Sequence, residues 1–252
     1  MVTIDELVAY SDALLQVGEF QDYCPNGLQV EGRGEVRRIV SGVTASQALV
    51  DAAIEAGADV LLVHHGYFWK GEPAPIVGMK RRRIAALLAH GVSLLAYHLP
   101  LDAHPELGNN ARLAAELELS IEGWFGGGRG PDIACHGRPA QPLTPAGLAG
   151  WLETRLGRAP LHLPGRPERI ERLAWCTGAA QSYIEAAAAL GVDAFISGEA
   201  SEQTTHLARE LGIHYFGAGH HATERGGPRA LGGHLAEKFS LEHRFIDIDN
   251  PV

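Results

Sequence analysis

Residues 38–65 read RIVSGVTASQALVDAAIEAGADVLLVHH, and this stretch sets the predicted fold class. Apolar runs at 38–43 and 60–63 flank an alanine-rich amphipathic segment at about 46–56. Short apolar runs are typical of buried strands, and the segment between them predicts a helix that ends before Gly57, a residue suited to the left-handed position after a helix. The stretch therefore predicts a strand–helix–strand unit of an α/β fold.

The same alternation continues on both sides of this unit. Around it, the pattern predicts helices at about 3–16 and 80–90 and a strand at 93–97. Further along the chain it predicts strands at 172–176, 194–197, 214–217 and about 242–248, and helices at about 180–190, 202–211 and 229–239. Strands and helices that alternate in this way favour parallel strands covered by helices.

Residues 172–197 repeat the order of residues 38–63 at an offset of 134 residues. The identical residues at this offset are Arg38 and Arg172, Ala45 and Ala179, Gln47 and Gln181, Ala52 and Ala186, Ala53 and Ala187, Gly57 and Gly191, and Asp59 and Asp193. The shared strand–helix–Gly-x-Asp–strand pattern indicates an internal duplication. The sequence therefore predicts two similar α/β halves, one at 1–125 and the other at 171–252.

Residues 126–170 are predicted to connect the two halves. They open with GGGRG at 126–130 and contain several prolines. These breakers indicate a connecting segment with a short helix of its own near 145–156. GGGRG is interpreted as a flexible linker rather than a phosphate-binding loop, because it lacks the following Lys-Ser/Thr pair and the preceding apolar strand of such a loop.

The composition argues against two classes of protein. The 252 residues carry 21 basic and 30 acidic side chains, a net charge of −9, and a negative surface disfavours binding along a nucleic-acid backbone. The sequence also lacks the ~20 consecutive apolar residues of a membrane helix and the basic start of a signal peptide. We expect a cytoplasmic protein without a membrane partner. One basic cluster, MKRRR at 79–83, is either a solvated helix start or a phosphate-contacting patch.

Two adjacent histidines, His64 and His65, follow the predicted strand at 60–63. Inside a strand, neighbouring side chains point to opposite faces and would chelate one ion poorly. At a strand exit, the backbone can turn both rings toward two ions, which lie roughly 3.5–4 Å apart in two-metal sites. The pair is a candidate set of metal ligands, and a pair of ordinary loop histidines is the alternative.

A second candidate follows the predicted strand at 93–97, where HLPLDAH contains His98, Asp102 and His104. Asp102 is a candidate metal ligand, and the alternative is that it caps a helix starting near Pro105. His98 is a candidate for proton transfer, because imidazole titrates near neutral pH. The alternative for His98 is a supporting role, with its ring hydrogen-bonded to Asp102 or to a backbone carbonyl.

A third candidate follows the predicted strand at 214–217. His220 and Glu224 are four residues apart, a spacing that brings side chains together on a helix, although the helix dipole alone would also favour an acid near a helix start. In open α/β sheets, ligands gather outside the carboxyl ends of strands, where all three candidates lie. We therefore expect one dinuclear site between the halves. Its predicted ligands are His64, His65, Asp102, His220 and Glu224, a nitrogen and oxygen set that suits Zn²⁺, Fe²⁺ or Mn²⁺ rather than Ca²⁺.

Six motifs together resemble a known family. They are DYCPNGLQVEG, VTASQAL, VHHGYFWKGE, HLPLDAHPELGNN, SGEASEQT and GHHATERGG. Over nearly the whole chain they resemble the Nif-three-like dinuclear-metal proteins, also called GTP cyclohydrolase I type 2 homologs, and most strongly the short enterobacterial members. The resemblance implies a duplicated α/β fold, the ligand set given above with Glu224 bridging two ions, and a homohexamer built as a trimer of dimers. It also places His98 near the metals, and His221 where many members have tyrosine.

The predicted function is metal-assisted hydrolysis, because one ion of such a site lowers the pKa of a water while the other polarises the bond attacked. The family name implies a small nucleotide-like substrate, a purine nucleotide, and a GTP cyclohydrolase-like reaction, although no motif in the sequence reads guanine or triphosphate. Two alternatives stay open. One is a non-enzymatic metal-binding protein with a regulatory or interaction role, and the other is a hydrolase of damaged nucleotides or DNA.

Overall fold

The structure, a computed structural model, describes residues 2–128 and 130–252, so that Arg129 of the predicted GGGRG linker lies outside it. Its strands are β1 (Val2–Thr3), β2 (Gly27–Val30), β3 (Glu35–Val36), β4 (Arg38–Thr44), β5 (Val60–His65), β6 (Ser93–Ala96), β7 (Leu119–Phe125), β8 (Ala134–Pro139), β9 (Leu161–Leu163), β10 (Leu173–Cys176), β11 (Ala194–Ser197), β12 (His214–Gly217) and β13 (Glu242–Phe245). Its α-helices are α1 (Ile4–Leu14), α2 (Gln47–Glu55), α3 (Gly78–His90), α4 (Leu99–Ala103), α5 (Asn109–Glu116), α6 (Pro145–Leu156), α7 (Ile184–Ala189), α8 (Glu202–Leu211), α9 (His220–Glu224) and α10 (Gly226–Phe239). The predicted α/β class is confirmed, with the strands in several sheets.

The chain divides into two compact units. The first contains the residues up to Leu101 together with Gly227–Asp249, and the second contains Asp102–Gly226 with Asn250–Val252. Gly227–Asp249 joins the first unit because β13 pairs in parallel with β4. These units do not have the same bounds as the three consecutive segments expected from the sequence. The division into two repeated halves and a connecting segment stays a prediction.

In the described part of the first unit, the main sheet has the strand order β13-β4-β5-β6-β2. The first four strands run parallel, and β2 adds to the edge in the antiparallel direction. Leu49 of α2 and Leu87 of α3 share a buried core with Val40, Leu61 and Leu94 of the sheet. Helix cover of this kind explains why β4, β5 and β6 are buried almost throughout. It also places the carboxyl ends of β5 and β6 side by side.

In the described part of the second unit, the sheet has the order β7-β8-β10-β11-β12-β9. Its central strands β10, β11 and β12 are parallel, and they bury Trp175, Ile196 and Phe216 in one core. The flanking strands β8 and β9 are antiparallel to their neighbours. Both come from residues 126–170, so the predicted connecting segment also supplies strands to this sheet. Its predicted short helix is confirmed as α6, with Thr144 as the N-cap.

The two aspartates that match at the repeat offset have the same local role in their units. Oδ2 of Asp59 accepts hydrogen bonds of 3.0 and 2.9 Å from the N–H groups of Arg38 and the residue before it. Oδ2 of Asp193 accepts bonds of 2.9 and 2.8 Å from the N–H groups of Arg172 and the residue before it. Each carboxylate thus joins the start of one parallel strand to the residue just before the next strand.

One predicted helix start was wrong. Residues 99–103 form α4, and the next helix, α5, begins at Asn109 behind the N-cap Gly108. Asp102 therefore lies inside a short helix and does not cap one near Pro105. Within residues 2–128 and 130–252, no helix combines the length and the apolar character that a membrane crossing requires.

Candidate metal-ligand groups

The first group of candidate ligands begins at the carboxyl end of β5. His64 is fully buried, and its Nδ1 lies 2.9 Å from the backbone oxygen of Tyr97, just after β6. A carbonyl oxygen can only accept, so Nδ1 of His64 carries a proton, and in the neutral ring Nε2 carries the lone pair. This is the tautomer in which an imidazole binds a metal through Nε2.

His65 is the last residue of β5, not a residue beyond the strand as the sequence suggested. The His64 and His65 rings nevertheless lie 4.6 Å apart between centroids. Nδ1 of His65 lies 3.1 Å from Oγ1 of Thr44 on the neighbouring strand. The chain then turns at Gly66, where a Cβ would lie 2.2 Å from Oε1 of Gln29.

His98 completes this group in the first unit. Its ring centroid is 5.0 Å from that of His64 and 5.7 Å from that of His65. One ligand atom from each of these three histidines lies within 4.8 Å of the other two. His98 thus lies beside both histidines in this unit, and its proposed place near a metal stays a prediction.

His98 is held by a loop that the sequence analysis left without a role. Nδ1 of His98 lies 2.7 Å from Oδ1 of Asp22, and its backbone N–H donates to Oδ1 of Asn26 at 2.7 Å. Oδ2 of Asp22 accepts from the N–H of Leu99 at 2.9 Å and from Nδ2 of Asn26 at 2.9 Å. The partner of His98 is thus a carboxylate about 76 positions earlier in the chain.

The environment of Asp22 favours its charged form. Burial acts to raise the pKa of this carboxyl, but the hydrogen bond and charge of His98, together with bonds from Asn26 and the N–H of Tyr23, lower it to about 2. The Asp22 side chain is only 3% exposed. An ionised, nearly buried carboxylate therefore orients the His98 ring.

In the second unit, Asp102 occupies a polar pocket of its own. It is buried, and its Oδ1 accepts hydrogen bonds from Nδ2 of Asn109 at 2.9 Å and from Oγ1 of Thr177 at 3.4 Å. Thr177 follows β10, the first central strand of this sheet. A carboxylate oxygen of Asp102 also lies within 4.8 Å of one from Glu224.

His220 and Glu224 are brought together as predicted, at the two ends of α9. Nε2 of His220 lies 3.2 Å from Oε2 of Glu224, and Nδ1 lies 2.7 Å from Oε1 of Glu199. Burial acts to lower the pKa of His220, but hydrogen bonds and charges from Glu224 and Glu199 raise it to about 9. The ring thus lies between two carboxylates, an electrostatic setting that also favours a cation in place of the proton.

The loop after β10 leaves room for these side chains because it contains glycine. Gly178 has φ +69°, and a Cβ there would lie 2.2 Å from Oε1 of Glu224 and 3.3 Å from Nε2 of His220. The neighbouring thiol of Cys176 is buried, and burial together with the charge of Asp102 raises its pKa well above the ordinary value. Cys176 therefore stays a neutral thiol, and the donors here are imidazole and carboxylate.

Two carboxylates that hold these imidazoles were missed by the sequence analysis. Asp22 lies in DYCPNG and Glu199 in SGEASEQT, and both stretches carried the family resemblance without an assigned role. An acid in a loop is an ordinary feature, so local sequence gives little reason to single it out. Only the folded chain brings each acid to a histidine ring.

The donor chemistry fits divalent metal ions. Apart from the buried thiol of Cys24, the candidate groups in the described residues contain only imidazole nitrogens and carboxylate oxygens, which suit Zn²⁺, Fe²⁺ or Mn²⁺. Partners on Nδ1 fix the orientation of the rings, as they do around metal-ligating histidines. The arrangement is consistent with the predicted metal binding.

Comparison with known proteins identifies the family of this chain. The sequence model of Duf34/NIF3 (NGG1p interacting factor 3) matches residues 2–251. The chain belongs to the DUF34/NIF3 family. This family membership confirms the resemblance that the motifs indicated.

Several DUF34/NIF3 relatives are similar over their whole length. A Pseudomonas aeruginosa protein named GTP cyclohydrolase 1 type 2 homolog is 57% identical over 252 residues, 100% of this chain and 99% of that protein. An Escherichia coli K12 protein of the same name is 54% identical over 248 residues, 98% of each. A solved structure described as protein ybgI, unknown function, has a TM-score of 0.96 and 53% identity and covers 100% of both chains.

Proposed function

We propose that this DUF34/NIF3 protein is a dinuclear metal-dependent hydrolase of a purine nucleotide. The proposed ligands of the two divalent ions are His64, His65, Asp102, His220 and Glu224. The observation that carries the proposal is common to three imidazoles in the candidate groups. His64, His98 and His220 each place Nδ1 within 2.9 Å of an oxygen of Tyr97, Asp22 or Glu199. Metal-ligating histidines almost always donate their second ring N–H in this way, because the bond fixes the tautomer and the orientation of the ring.

The residues have distinct proposed tasks. Bound ions would lower the pKa of a water and polarise the bond attacked. Glu224 is proposed to bridge, because a carboxylate has two oxygens and the family resemblance implies that role. His98 is proposed to hold or release a proton at Nε2, since its Nδ1 is already engaged by Asp22.

The proposed substrate class rests on the relatives. The name GTP cyclohydrolase 1 type 2 homolog, given to the similar proteins of Pseudomonas aeruginosa and Escherichia coli, supports a purine nucleotide, and the net charge of −9 favours a small substrate over long nucleic acid. We further propose that the two halves are a duplication, that the protein acts in the cytoplasm, and that six copies form a trimer of dimers. Light scattering at several concentrations tests the assembly, because a monomer at all of them contradicts the hexamer.

Metal analysis of the purified protein tests the centre directly. After loading with Zn²⁺, Fe²⁺ or Mn²⁺ and removal of excess ion, we expect two ions per chain. Glu224→Ala is expected to remove both, whereas Glu210→Ala, an exposed glutamate of α8, serves as the matched control and keeps both. One ion per chain at saturation contradicts the dinuclear proposal, and full occupancy in Glu224→Ala contradicts the bridge.

Turnover tests the enzymatic part separately. The metal-loaded protein is incubated with a panel of purine nucleotides, and ring opening and phosphate release are followed by absorbance and chromatography. We expect turnover that requires the metal and disappears in Glu224→Ala. Full metal content without turnover of any nucleotide would instead favour a metal-binding protein with a regulatory role.

A further inference from the structure

The loop after the histidine pair contains a strained residue. Phe68 has φ +65°, a left-handed conformation that is costly for a bulky side chain and that persists only where the surroundings impose it. Such strain is concentrated at ligand-binding and active sites. The residue that follows is Trp69, so the unusual backbone sets the direction of an indole ring beside the candidate ligands.

The surroundings that impose this conformation are present. Oε2 of Glu72 accepts from the N–H of Phe68 at 3.1 Å, from the N–H of Trp69 at 3.3 Å and from Nζ of Lys80 at 3.1 Å. The N–H of Glu72 donates back to the oxygen of Trp69 at 2.9 Å, and Nζ of Lys80 lies 4.7 Å from the centre of the Phe68 ring. The turn is therefore fixed from both of its ends.

The fixed turn places Trp69 against two candidate site histidines. Its ring centroid lies 4.9 Å from that of His98, at an interplanar angle of 85°, and 5.8 Å from that of His65. Nε1 of Trp69 donates to the oxygen of Gly66 at 3.2 Å, so the indole N–H is satisfied within the loop and the ring cannot turn freely. One edge of the candidate site in this unit is thus a rigid aromatic surface.

A second aromatic ring lies beside His98. Tyr23 is 62% exposed, and its ring centroid lies 6.4 Å from that of His98 at an angle of 64°. Its backbone is held, because the N–H of Lys70 donates to the oxygen of Tyr23 at 2.6 Å and the N–H of Tyr23 donates to Oδ1 of Asp22 at 2.6 Å. Core packing does not require so exposed a tyrosine, and a ligand with a flat apolar face would cover it.

We propose that Tyr23 and Trp69 form the subsite that receives the planar heteroaromatic base of the substrate by stacking. The inference rests on the proposed function and names the part of the chain that would bind the purine ring. Aromatic side chains bind any base through its π face, so this subsite selects for a planar ring rather than for one particular base. A sugar phosphate without a base would gain nothing from it.

Tryptophan fluorescence tests the subsite. The protein has four tryptophans, and stacking of a purine on Trp69 quenches the emission of that ring. We expect guanosine to quench the metal-loaded protein and ribose 5-phosphate to leave its emission unchanged. Trp69→Phe should lose the guanosine-dependent quenching, whereas the matched variant Trp151→Phe should keep it. Quenching of equal size in Trp69→Phe overturns the proposal.

Affinity gives a second readout. Loss of stacking against an aromatic side chain raises the dissociation constant by about 5- to 150-fold. Tyr23→Ser should therefore weaken guanosine binding by about 10-fold. The unfolding midpoint of this variant should stay near that of the parent. Equal guanosine affinity in Tyr23→Ser and the parent overturns the proposal.

Metal content is measured in the same samples. A parent protein without metal contradicts the proposed function, whereas full metal content without base-dependent quenching overturns only the stacking subsite.

Discussion

Oε1 of Glu199 lies 2.7 Å from Nδ1 of His220. Glu199 follows β11 and His220 begins α9, so the pair joins the ends of two neighbouring strands of one sheet. The carboxylate accepts from Nδ1 and leaves Nε2 of the ring facing Glu224 at 3.2 Å. This contact makes Glu199 a positioning residue for a proposed ligand.

Replacement of Glu199 by alanine is expected to weaken metal binding by about 10- to 100-fold, the usual cost of losing a partner that orients a histidine ligand. Glu199→Gln should lose less, because its amide oxygen still accepts from Nδ1. Competition with a chromophoric chelator measures the affinity. Glu202→Ala is the matched control, since Glu202 pairs with His206 on the exposed face of α8. Equal affinities in the parent and Glu199→Ala would contradict the positioning role.

Gly178→Ala is expected to destabilise the protein and to lower its metal content. The added Cβ would lie 2.2 Å from Oε1 of Glu224, at a backbone φ of +69° that alanine adopts poorly. Denaturant unfolding should show a loss of about 1–3 kcal/mol. At Gly150, inside α6, no described atom outside the adjacent helix backbone lies within 4 Å of the new Cβ, so the same substitution there should be neutral or stabilising by about 0.5–1 kcal/mol. Destabilisation of equal size at both glycines would show that crowding at Glu224 is not the cause.

Asp22→Asn is expected to destabilise the protein in a pH-dependent way. The folded pKa of Asp22 is lowered to about 2, below the ordinary value near 4. The charged form of Asp22 therefore contributes fully to the free energy of unfolding above pH 4, and this contribution is lost as the pH falls toward 2. In urea unfolding at pH 7, the free energy of unfolding of the variant should be about 1–3 kcal/mol below that of the parent. This difference should shrink between pH 4 and 2. The exposed Asp51→Asn of α2 is the control, and a deficit that does not change with pH would contradict the ionic role.

His98→Ala separates proton transfer from metal support. If Nε2 of His98 carries a proton to or from the substrate, the variant should keep its full metal content while kcat falls by about 10²–10⁴-fold. Metal analysis and single-turnover kinetics on the same preparation make the comparison. Loss of metal in proportion to activity would assign His98 to metal binding, and unchanged metal with unchanged rate would exclude it from the site.

Some elements of the fold could be predicted from the sequence and others could not. The parallel strands β4, β5 and β6 were predicted because they are buried on both faces and therefore read as continuous apolar runs. Strand β9, Leu161–Leu163, was missed because it has only three residues and lies in a segment with several prolines. Its strand character comes from pairing with β12, and such a partner is invisible to local pattern.

Among the proposed site residues, His64, His65, His220 and Glu224 could be proposed from sequence because chemistry-bearing side chains at the ends of predicted strands have short, specific spacings. The alternative that Asp102 caps a helix near Pro105 was wrong, because Asp102 lies inside α4 and the next helix begins only at Asn109. Asp22 and Glu199 could not be assigned at all. Their significance comes from single contacts with His98 and His220.

The sequence by itself determined the α/β class, the order of the central strands along the chain and the candidate ligands, because burial periodicity and residue spacing are local properties. The tertiary structure alone decided which loop holds which imidazole, which backbone is strained at Phe68, and that β13 completes the first sheet rather than the second. Those features depend on hydrogen bonds and packing between residues far apart in the chain. Their energies depend on three-dimensional neighbours, which spacing along one sequence does not specify.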